Sequence, residues 1–584
     1  MGHTMPSSRF PYRSLLMILA VTLAVRLILL ASGAVSFHAD EAVVGLMARH
    51  ILTGDRPIFF YGQAYMGSLD AWLIALGFRI LGDSLLTIRI VQSVLYVLVV
   101  AAGYVLTWRL SARRIVANIA GLVMAVSPVN TVLYTTATLG GYNETLLFGT
   151  LILLMAYEVT HEFPGSRWRW ALLGLCAGLG WWTNGLIAVY VLPAGCLILY
   201  VFLKPRFRPA HLRSDLPDSS LIPHPSSLFT QSSVLTTQHF LYGLILAAVF
   251  FLVGSAPWWI FDFTHDHAAL STFLSSRQTG EFAGIGLPYV PPGQRAIGLL
   301  LVGLPALIGL RFPWSSDYFL LPVGIIVILI YSAAMVRLMR GHNPLKPDAR
   351  GLVLAMLGLF CIVFVASTFG ADPTGRYFLP LLLPLGIVLG AFVASFQFPV
   401  SSPQSSVPLS ELSSTQPSVL KTQSFLSLIP IFLILLYHAA GQIAAMTTPP
   451  GLTTQFDLAS HISNDHDAEL ISFLDEHRLY NGYTNYWVAF RLAFLSDERM
   501  QYSAVLPYKI SLDYNPADNR YRPYAEATEQ ASRIAVITTN LPELDARLIA
   551  RWQAQKITYQ ESVIGAFHIY YDFAPVQPHP PLFE

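Results

Sequence analysis

Apolar blocks about as long as a lipid bilayer is thick recur along most of this chain. Residues 14–34 and 351–368 form two of them, and a helix of that length crosses a hydrocarbon core of about 30 Å. Only helices or closed barrels satisfy every backbone group in such a core, and these blocks lack the two-residue alternation of barrel strands. The sequence therefore predicts a mainly α, polytopic membrane protein.

Composition agrees with this prediction and argues against a soluble domain, a nucleic-acid-binding protein and a disulfide-bonded scaffold. Of 584 residues, 54% are hydrophobic and 12% are charged, against roughly 25% charged in a soluble domain. The net charge of +1 gives no sign of a nucleic-acid partner, and the three cysteines lie inside apolar blocks, so no disulfide framework is expected. The first block follows Arg9 and Arg13 but is too long for a signal-peptide core, and we expect it to be retained as a span.

Basic residues predict how the chain is threaded, because the basic flanks of short loops stay in the cytoplasm. The N-terminus is therefore expected to be cytoplasmic. The later basic clusters, each a predicted cytoplasmic loop, are Arg109, Arg113 and Arg114; Arg167 and Arg169; Lys204, Arg206, Arg208 and Arg213; and Arg337, Arg340, Lys346 and Arg350. About eleven spans satisfy these clusters, near residues 14–34, 84–107, 115–134, 144–160, 170–184, 186–203, 240–260, 318–337, 351–369, 376–396 and 425–446. Segment 297–310, interrupted by Pro305, is expected to be re-entrant or interfacial.

Composition also divides the chain into a membrane part, residues 1–447, and a water-soluble part, residues 448–584. Two tracts rich in Ser, Pro, Gln and Thr, residues 205–238 and 400–423, are expected to be flexible cytoplasmic linkers. The soluble part is predicted to be a small extracytoplasmic α/β domain. Its expected elements are a helix at 467–479, a strand at 533–539, a helix at 541–556 and one or two strands within 557–572. Its aromatic residues either stack on sugar rings or pack the core; they are Tyr480, Tyr483, Tyr486 and Trp487.

The first outer loop, residues 35–83, is far too long to serve only as a connection between two helices. Asp40 and Glu41 follow the first span and precede apolar residues at helical spacing through Ile51. These acids have two interpretations. Asp40 caps the helix while Glu41 sits in its first turn, together worth about 1 kcal/mol, or a carboxylate accepts the proton of a sugar acceptor during glycosyl transfer.

The order of several short motifs resembles that of the GT-C membrane glycosyltransferases. The motifs are Arg26, the pair Asp40 and Glu41, the stretches ARHILTGD and YGQAYMGSLDAWL, Arg89, Ser127 with Pro128, and GRYFLPLLLPLG at 375–386. More narrowly, the pattern is similar to the branch of dolichyl-phosphate-mannose-protein mannosyltransferases and aminoarabinose transferases, over most of the membrane part, roughly the first 400 residues. The chain has YMGSLDAW where the aminoarabinose transferases have a Lys-Pro-Pro stretch, so the resemblance does not identify the acceptor.

The resemblance implies a donor in which a sugar is attached to a polyprenyl or dolichyl phosphate. It further implies that Asp40 is the catalytic base and that Glu41 orients the donor or acceptor. The phosphate leaving group develops charge and needs cations placed in advance. The candidates are Arg376 at the outer start of a span, Arg277 and Arg295 in an outer loop, and Arg26 and Arg89 within spans.

Each of these arginines also has a structural interpretation. An arginine at the interface snorkels without any function, and Arg26 and Arg89 can equally be partners of Asp40, Glu41 or Asp83. No cofactor is required by the expected chemistry. His265, Asp266 and His267 either bind a divalent metal or form a solvated polar turn.

The leading hypothesis is therefore an inverting glycosyltransferase at the outer face of a cell membrane. It moves one sugar from a polyprenyl-phosphate donor to a hydroxyl of a glycan, lipid or protein, and the C-terminal domain takes part in acceptor selection. A transporter or flippase of lipid-linked sugars would use the same arginines without needing a base. A non-catalytic scaffold with the same fold is the third possibility.

Overall fold

A computed structural model gives the structure for residues 10–204, 236–275, 290–367, 370, 372, 374–397, 426–455 and 461–578. The predicted linker 400–423 lies outside these residues, and so does the predicted linker 205–238 apart from its last three residues. The candidate Arg277 also lies outside the described residues.

Within the described ranges, eight helices are long and apolar enough to cross a membrane. They are Tyr12–Ser32, Leu85–Ser111, Gly185–Leu203, Thr237–Gly254, Leu321–Met339, Pro347–Ala366, Arg376–Phe396 and Ile429–Thr447. The other helices of the membrane part are Ala39–Thr53, Leu69–Leu81, Arg114–Ala125, Val129–Tyr134, Tyr142–His161, Arg167–Thr183, Ala256–Thr264, Ala268–Ser275, Pro292–Gly298 and Leu304–Leu307. The prediction of a mainly α, polytopic membrane protein is confirmed.

Three predicted spans are not among these eight helices, and each has a local reason. The span near 115–134 is broken into two helices around Pro128, because proline lacks an N–H and disfavours helical backbone in the residue before it. The helix Tyr142–His161 carries two glutamates, and Arg167–Thr183 is only 17 residues long. The total of eleven spans therefore stays a prediction.

The segment expected to be re-entrant or interfacial is irregular. It comprises the helix Pro292–Gly298, a π-helical stretch Leu299–Gly303 and a single turn Leu304–Leu307. Its pieces are too short to cross a bilayer one by one.

Ion pairs join several of the basic clusters at one end of the helical bundle. Glu158 pairs with Arg109 at 3.1 Å and with Arg169 at 2.6 Å. Lys204 lies 3.0 Å from Asp348, at the start of the helix Pro347–Ala366. His161, on the same helix as Glu158, lies 3.1 Å from Asp348 and connects the two sets of ion pairs. Residues of all four predicted cytoplasmic loops therefore meet on one side, as the threading prediction requires. Which side is cytoplasmic stays a prediction.

The C-terminal part contains a five-stranded mixed sheet, which confirms the expected α/β class. Its strands are β1 (Asn481–Asn485), β2 (Gln501–Leu506), β3 (Ala535–Thr539), β4 (Thr558–Ile564) and β5 (Phe567–Ala574), in the order β2-β1-β3-β5-β4. β1 runs parallel to β2 and β3, whereas β5 is antiparallel to β3 and β4. The helices are Asp467–Glu476, Tyr486–Leu495, Arg522–Gln530 and Pro542–Ala554. The structure contains the predicted strand β3, the two strands predicted within 557–572, and the predicted helices Asp467–Glu476 and Pro542–Ala554. The strands β1 and β2 and the other two helices were not predicted.

The first outer loop and the C-terminal part share one hydrophobic core. Helix Ala39–Thr53 packs on helix Tyr486–Leu495, where the rings of Phe37 and Phe494 are 5.4 Å apart. The side chain of Asn464 accepts from and donates to the backbone of Phe37, at 2.9 Å each. The two segments therefore lie on the same side of the helical bundle.

Candidate functional site

The acidic pair sits in the first turn of helix Ala39–Thr53, which begins where the chain leaves the first span. The residue that caps this helix is His38, whose Nδ1 accepts from the backbone N–H of Glu41 at 3.3 Å. Burial lowers the pKa of His38, so the ring stays neutral and can accept this bond. The interpretation of Asp40 as the cap is therefore wrong, because its side chain points elsewhere.

Neighbouring residues on a helix point about 100° apart, and the two acids have different surroundings. Glu41 has 0% of its side chain exposed and receives two hydrogen bonds from Arg89, each 3.1 Å long. The side chain of Asp40 is 24% exposed. The carboxylate of Asp40 is therefore accessible to a ligand, whereas that of Glu41 is buried in an ion pair with Arg89.

Two residues of the C-terminal domain hold one oxygen of Asp40. The hydroxyl of Tyr486 donates to Oδ1, and Nη2 of Arg520 lies 3.5 Å from the same atom. Burial and the nearby Asp40 raise the pKa of Tyr486 well above its usual value although Arg520 opposes this, so the phenol keeps its proton and donates. No described residue forms a hydrogen bond to Oδ2 of Asp40, which leaves that oxygen available for a proton.

Asp40 borders a cavity of about 530 Å³ between the membrane part and the C-terminal domain. This volume is typical of a site for a small molecule. The lining residues are Asp40, Tyr134, Leu139 and Arg376 from the membrane part and Thr454, Gln455, Tyr486, Trp487, Tyr508, Lys509, Ile510, Ser511, Asp518 and Arg520 from the C-terminal part. The cavity therefore combines a carboxylate, several cations and aromatic rings.

Arg376 reaches this cavity from the start of a membrane helix. Its Nη2 lies 2.6 Å from Asp372, and its Nε is buried without a hydrogen-bond partner in the described part of the chain. Burial alone would raise the pKa of Asp372, but Arg376 and Thr374 more than offset this and lower it. Asp372 is therefore ionised and fixes Arg376 in place.

The loop between β2 and helix Arg522–Gln530 forms the other wall. It carries Lys509, Asp518 and Arg520. Burial, which outweighs the opposing effect of Arg520 and Lys509, raises the pKa of Asp518 to about 6. This wall therefore contributes both fixed positive charge and a carboxyl group that titrates near neutrality.

Sequence reasoning did not assign a role to these loop residues. No apolar period marks residues 507–521, so the loop had no predicted element to place it. The usable signal was the concentration of charged and aromatic residues in the sequence YKISLDYNPADNRY, which is uncommon in a plain connection.

Comparison with known proteins gives two kinds of relative. Residues 68–221 match the family described as dolichyl-phosphate-mannose-protein mannosyltransferase, a segment that begins after Asp40. A Pseudomonas fluorescens Pf0-1 protein named undecaprenyl phosphate-alpha-4-amino-4-deoxy-L-arabinose arabinosyl transferase 1 is 25% identical over 379 residues, which are 61% of this chain and 54% of that protein. The chain thus spans about half the length of the curated relatives it matches.

Among solved structures, ArnT from Cupriavidus metallidurans bound to undecaprenyl phosphate matches with a TM-score of 0.56 and 12% identity, covering 97% of this chain and 99% of ArnT. The chain has the GT-C fold. The apo form of the same ArnT gives a TM-score of 0.55. The likeness extends beyond the membrane helices, because the 97% of this chain that matches ArnT includes the C-terminal domain.

Of the other arginine candidates that the structure describes, Arg26 and Arg295 do not line this cavity. Arg26 donates to the hydroxyls of Thr135 and Thr136, at 2.5 Å each, and lies 4.0 Å from the ring centre of Tyr96. Arg295 donates to backbone carbonyls, including that of Ser367 at 2.8 Å. Their roles in phosphate binding stay predictions, and both have structural partners.

The proposed metal ligands form a turn after helix Ala256–Thr264. His267 Nδ1 lies 2.8 Å from Asp262, and His265 Nδ1 lies 3.0 Å from the carbonyl of Phe261. Among the residues of this protein that the structure describes, no group of three or more His, Cys, Asp or Glu side chains could hold a metal ion. A metal at His265, Asp266 and His267 remains an untested prediction.

Proposed function

We propose that the protein is an inverting glycosyltransferase that moves a sugar from a polyprenyl-phosphate donor to an acceptor hydroxyl at the outer face of the membrane. The observation that carries this proposal is the position of Asp40, whose free Oδ2 belongs to a carboxylate bordering a cavity that also contains Arg376. The named relatives support the donor class, since they are undecaprenyl-phosphate aminoarabinose transferases. The mannosyltransferase family match supports sugar transfer in general.

In this reaction, Asp40 accepts a proton on one side of the cavity and Arg376 stabilises the leaving phosphate on the other. The acceptor oxygen attacks the anomeric carbon from the face opposite the phosphate, while its proton passes to Oδ2 of Asp40. The bond from the anomeric carbon to the phosphate oxygen breaks, and its electron pair remains on the lipid phosphate. Arg376 stabilises the charge that develops there, and attack from the opposite face inverts the anomeric centre.

Other residues hold these groups in position. Tyr486 orients Asp40 through its hydrogen bond to Oδ1. Trp487 and Tyr508 present aromatic rings to the cavity, where they suit the apolar faces of a sugar. Glu41 takes a positioning role, because its ion pair with Arg89 anchors the helix that carries Asp40.

The experiment uses purified protein in lipid nanodiscs with radiolabelled polyprenyl-phosphate sugars. We expect transfer or donor hydrolysis by the wild type, and a decrease of at least about 100-fold for Asp40→Asn, because a general base contributes that much or more. Asp317→Asn is the matched control, since Asp317 is exposed and lies away from the cavity. Its turnover should equal that of the wild type.

Equal turnover by Asp40→Asn and the wild type would remove the catalytic assignment. Movement of the intact donor across vesicles without cleavage would favour the flippase instead. Labelling that places residues 35–83 on the cytoplasmic side would contradict the proposed location of the reaction.

A further inference from the structure

Arg520 belongs to the C-terminal domain, yet packing fixes its side chain against the first outer loop. Its guanidinium carbon lies 5.0 Å from the ring centre of Phe60 and 4.8 Å from that of Tyr486. The backbone of Gly62 is so close that a Cβ there would stand 3.1 Å from the Cα of Arg520. The guanidinium is therefore held in one place before any ligand binds.

Most of the hydrogen-bonding capacity of Arg520 is unused. One nitrogen, Nη2, lies 3.5 Å from Asp40, and the side chain is 10% exposed. Two further nitrogens, Nε and Nη1, are buried and have no hydrogen-bond partner among the residues that the structure describes. Buried donors without an acceptor are costly and uncommon in folded proteins, which points to a ligand that supplies oxygens.

The unfilled donors of the Arg520 guanidinium and the charges around it indicate the chemistry of that ligand. A planar guanidinium with two unfilled donors matches an anion that offers several oxygens, and phosphate is such an anion. Arg376 lines the same cavity but shares its charge with Asp372 at 2.6 Å. A second arginine is therefore useful if the site must hold a phosphate as negative charge develops on it.

We propose that Arg520 binds the phosphate of the polyprenyl-phosphate donor, opposite Arg376. This inference deepens the proposed function and rests on it. It gives the C-terminal domain a part in donor binding, whereas sequence reasoning gave that domain a part in acceptor selection. A site assembled from two domains then holds the donor.

The test measures lipid binding without turnover, on the full chain in nanodiscs. Undecaprenyl phosphate is the probe and undecaprenol, which lacks the phosphate, is the matched probe; quenching of tryptophan fluorescence reports binding. The readout is the ratio of the two affinities, because a general loosening of the fold weakens both. The variants are Arg520→Met, which keeps an unbranched apolar stem, and Arg520→Lys, which keeps the charge.

We expect Arg520→Met to lower the preference for the phosphate by on the order of 10- to 100-fold, the effect of losing hydrogen bonds to a charged group. Arg520→Lys should lower it by about tenfold, because lysine is a point charge and not a planar fork. Arg522→Gln is the matched control, two residues further along and 81% exposed, and should keep the wild-type ratio. If Arg520→Met does not fold, the ratio for Arg520→Lys decides.

A wild-type ratio in the Arg520 variants would overturn this inference while leaving the catalytic role of Asp40 intact. Full turnover by Asp40→Asn, together with a lost phosphate preference in Arg520→Met, would overturn the catalytic role and leave the phosphate site in place. A variant that keeps the ratio but requires more acceptor would assign Arg520 to the acceptor and contradict the inference.

Discussion

The guanidinium of Arg89 donates to both carboxylate oxygens of Glu41, with two bonds of 3.1 Å in a pair that is almost fully buried. Removing one partner leaves an uncompensated charge in a dry environment, which costs about 3–5 kcal/mol. We therefore expect Glu41→Ala to lower the free energy of unfolding by that amount, measured by thermal or denaturant unfolding in detergent.

The double variant Glu41→Leu, Arg89→Met serves as the control for this prediction, because it removes both charges and keeps side chains of similar volume. It should recover most of the lost stability. If the double variant is no more stable than Glu41→Ala, then the loss comes from packing and not from the orphaned charge.

Tyr486→Phe tests whether the hydroxyl of Tyr486 orients Asp40. Phenylalanine keeps the ring beside Arg520 but cannot donate to Oδ1, and hydrogen bonds to charged groups contribute about 1.5–3 kcal/mol. Turnover of the radiolabelled donor should decrease roughly 10- to 100-fold with a smaller change in donor affinity. Tyr502→Phe is the matched control, because the hydroxyl of Tyr502 bonds the carbonyl of Leu479 inside the domain core. It should lower stability and leave turnover per folded molecule unchanged.

Asp518→Asn should change how stability depends on pH. Burial raises the pKa of Asp518 from 3.8 to about 6, so the folded state binds more protons than the unfolded state between these values. Stability therefore falls as pH rises through this window, and at pH 7 the cost is at most on the order of 3 kcal/mol. Asparagine carries no charge, so the variant should melt at a higher temperature than the wild type above pH 6 and lose this advantage below about pH 4.

Melting curves recorded from pH 4 to pH 8 measure this difference. The control is Asp513→Asn, because Asp513 is exposed and bonds only the nearby Ser511 among the described residues. A constant offset between Asp518→Asn and the wild type at every pH would show that the substitution acts through packing alone.

Gly62→Ala tests the contact between the first outer loop and the loop that carries Arg520. Gly62 has φ +71°, and an added Cβ would lie 3.1 Å from the Cα of Arg520. Gly33→Ala is the matched control, since Gly33 has φ +65° with nothing within 4 Å of its added Cβ. Both variants carry the strain of a left-handed backbone, about 1 kcal/mol, but we expect only Gly62→Ala to reduce turnover as well. Loss of turnover in both would indicate that backbone strain alone is responsible.

A chelator tests the metal prediction. The described residues contain no group of three or more His, Cys, Asp or Glu positioned around one point, and the proposed mechanism assigns the phosphate charge to arginines. EDTA treatment should therefore leave turnover unchanged. Loss of turnover that added Mn²⁺ or Mg²⁺ restores would require a metal in the mechanism, and His265→Ala would then show whether the turn after helix Ala256–Thr264 binds it.

The sequence predicted those features that depend on local patterns. Apolar blocks marked the long helices, and the position of Asp40 directly after the first span marked it as a candidate base. The helix at 467–479 and the strand at 533–539 were predicted because their periodicity is clear, and the structure has Asp467–Glu476 and Ala535–Thr539.

The remainder depends on tertiary contacts that no local pattern encodes. Tyr486 lies in a run of aromatic residues for which sugar stacking and core packing were both open, and the structure gives it a buried ring whose hydroxyl reaches Asp40. The neighbouring Trp487 lines the cavity. No local sequence pattern indicated a role for Arg520, because the residues that pack against it belong to the distant loop around Phe60 and Gly62.

The hydrogen bond between Tyr486 and Asp40 joins positions 446 residues apart. At ribosomal speeds of about 5–20 residues per second, roughly 20 to 90 seconds separate the synthesis of these two residues. The first spans are thus inserted long before the cavity has its second wall, so a nascent chain holds an incomplete site. A chain that ended upstream of Tyr486 would therefore contain Asp40 without its hydrogen-bond partner and without the cavity wall that the C-terminal part supplies.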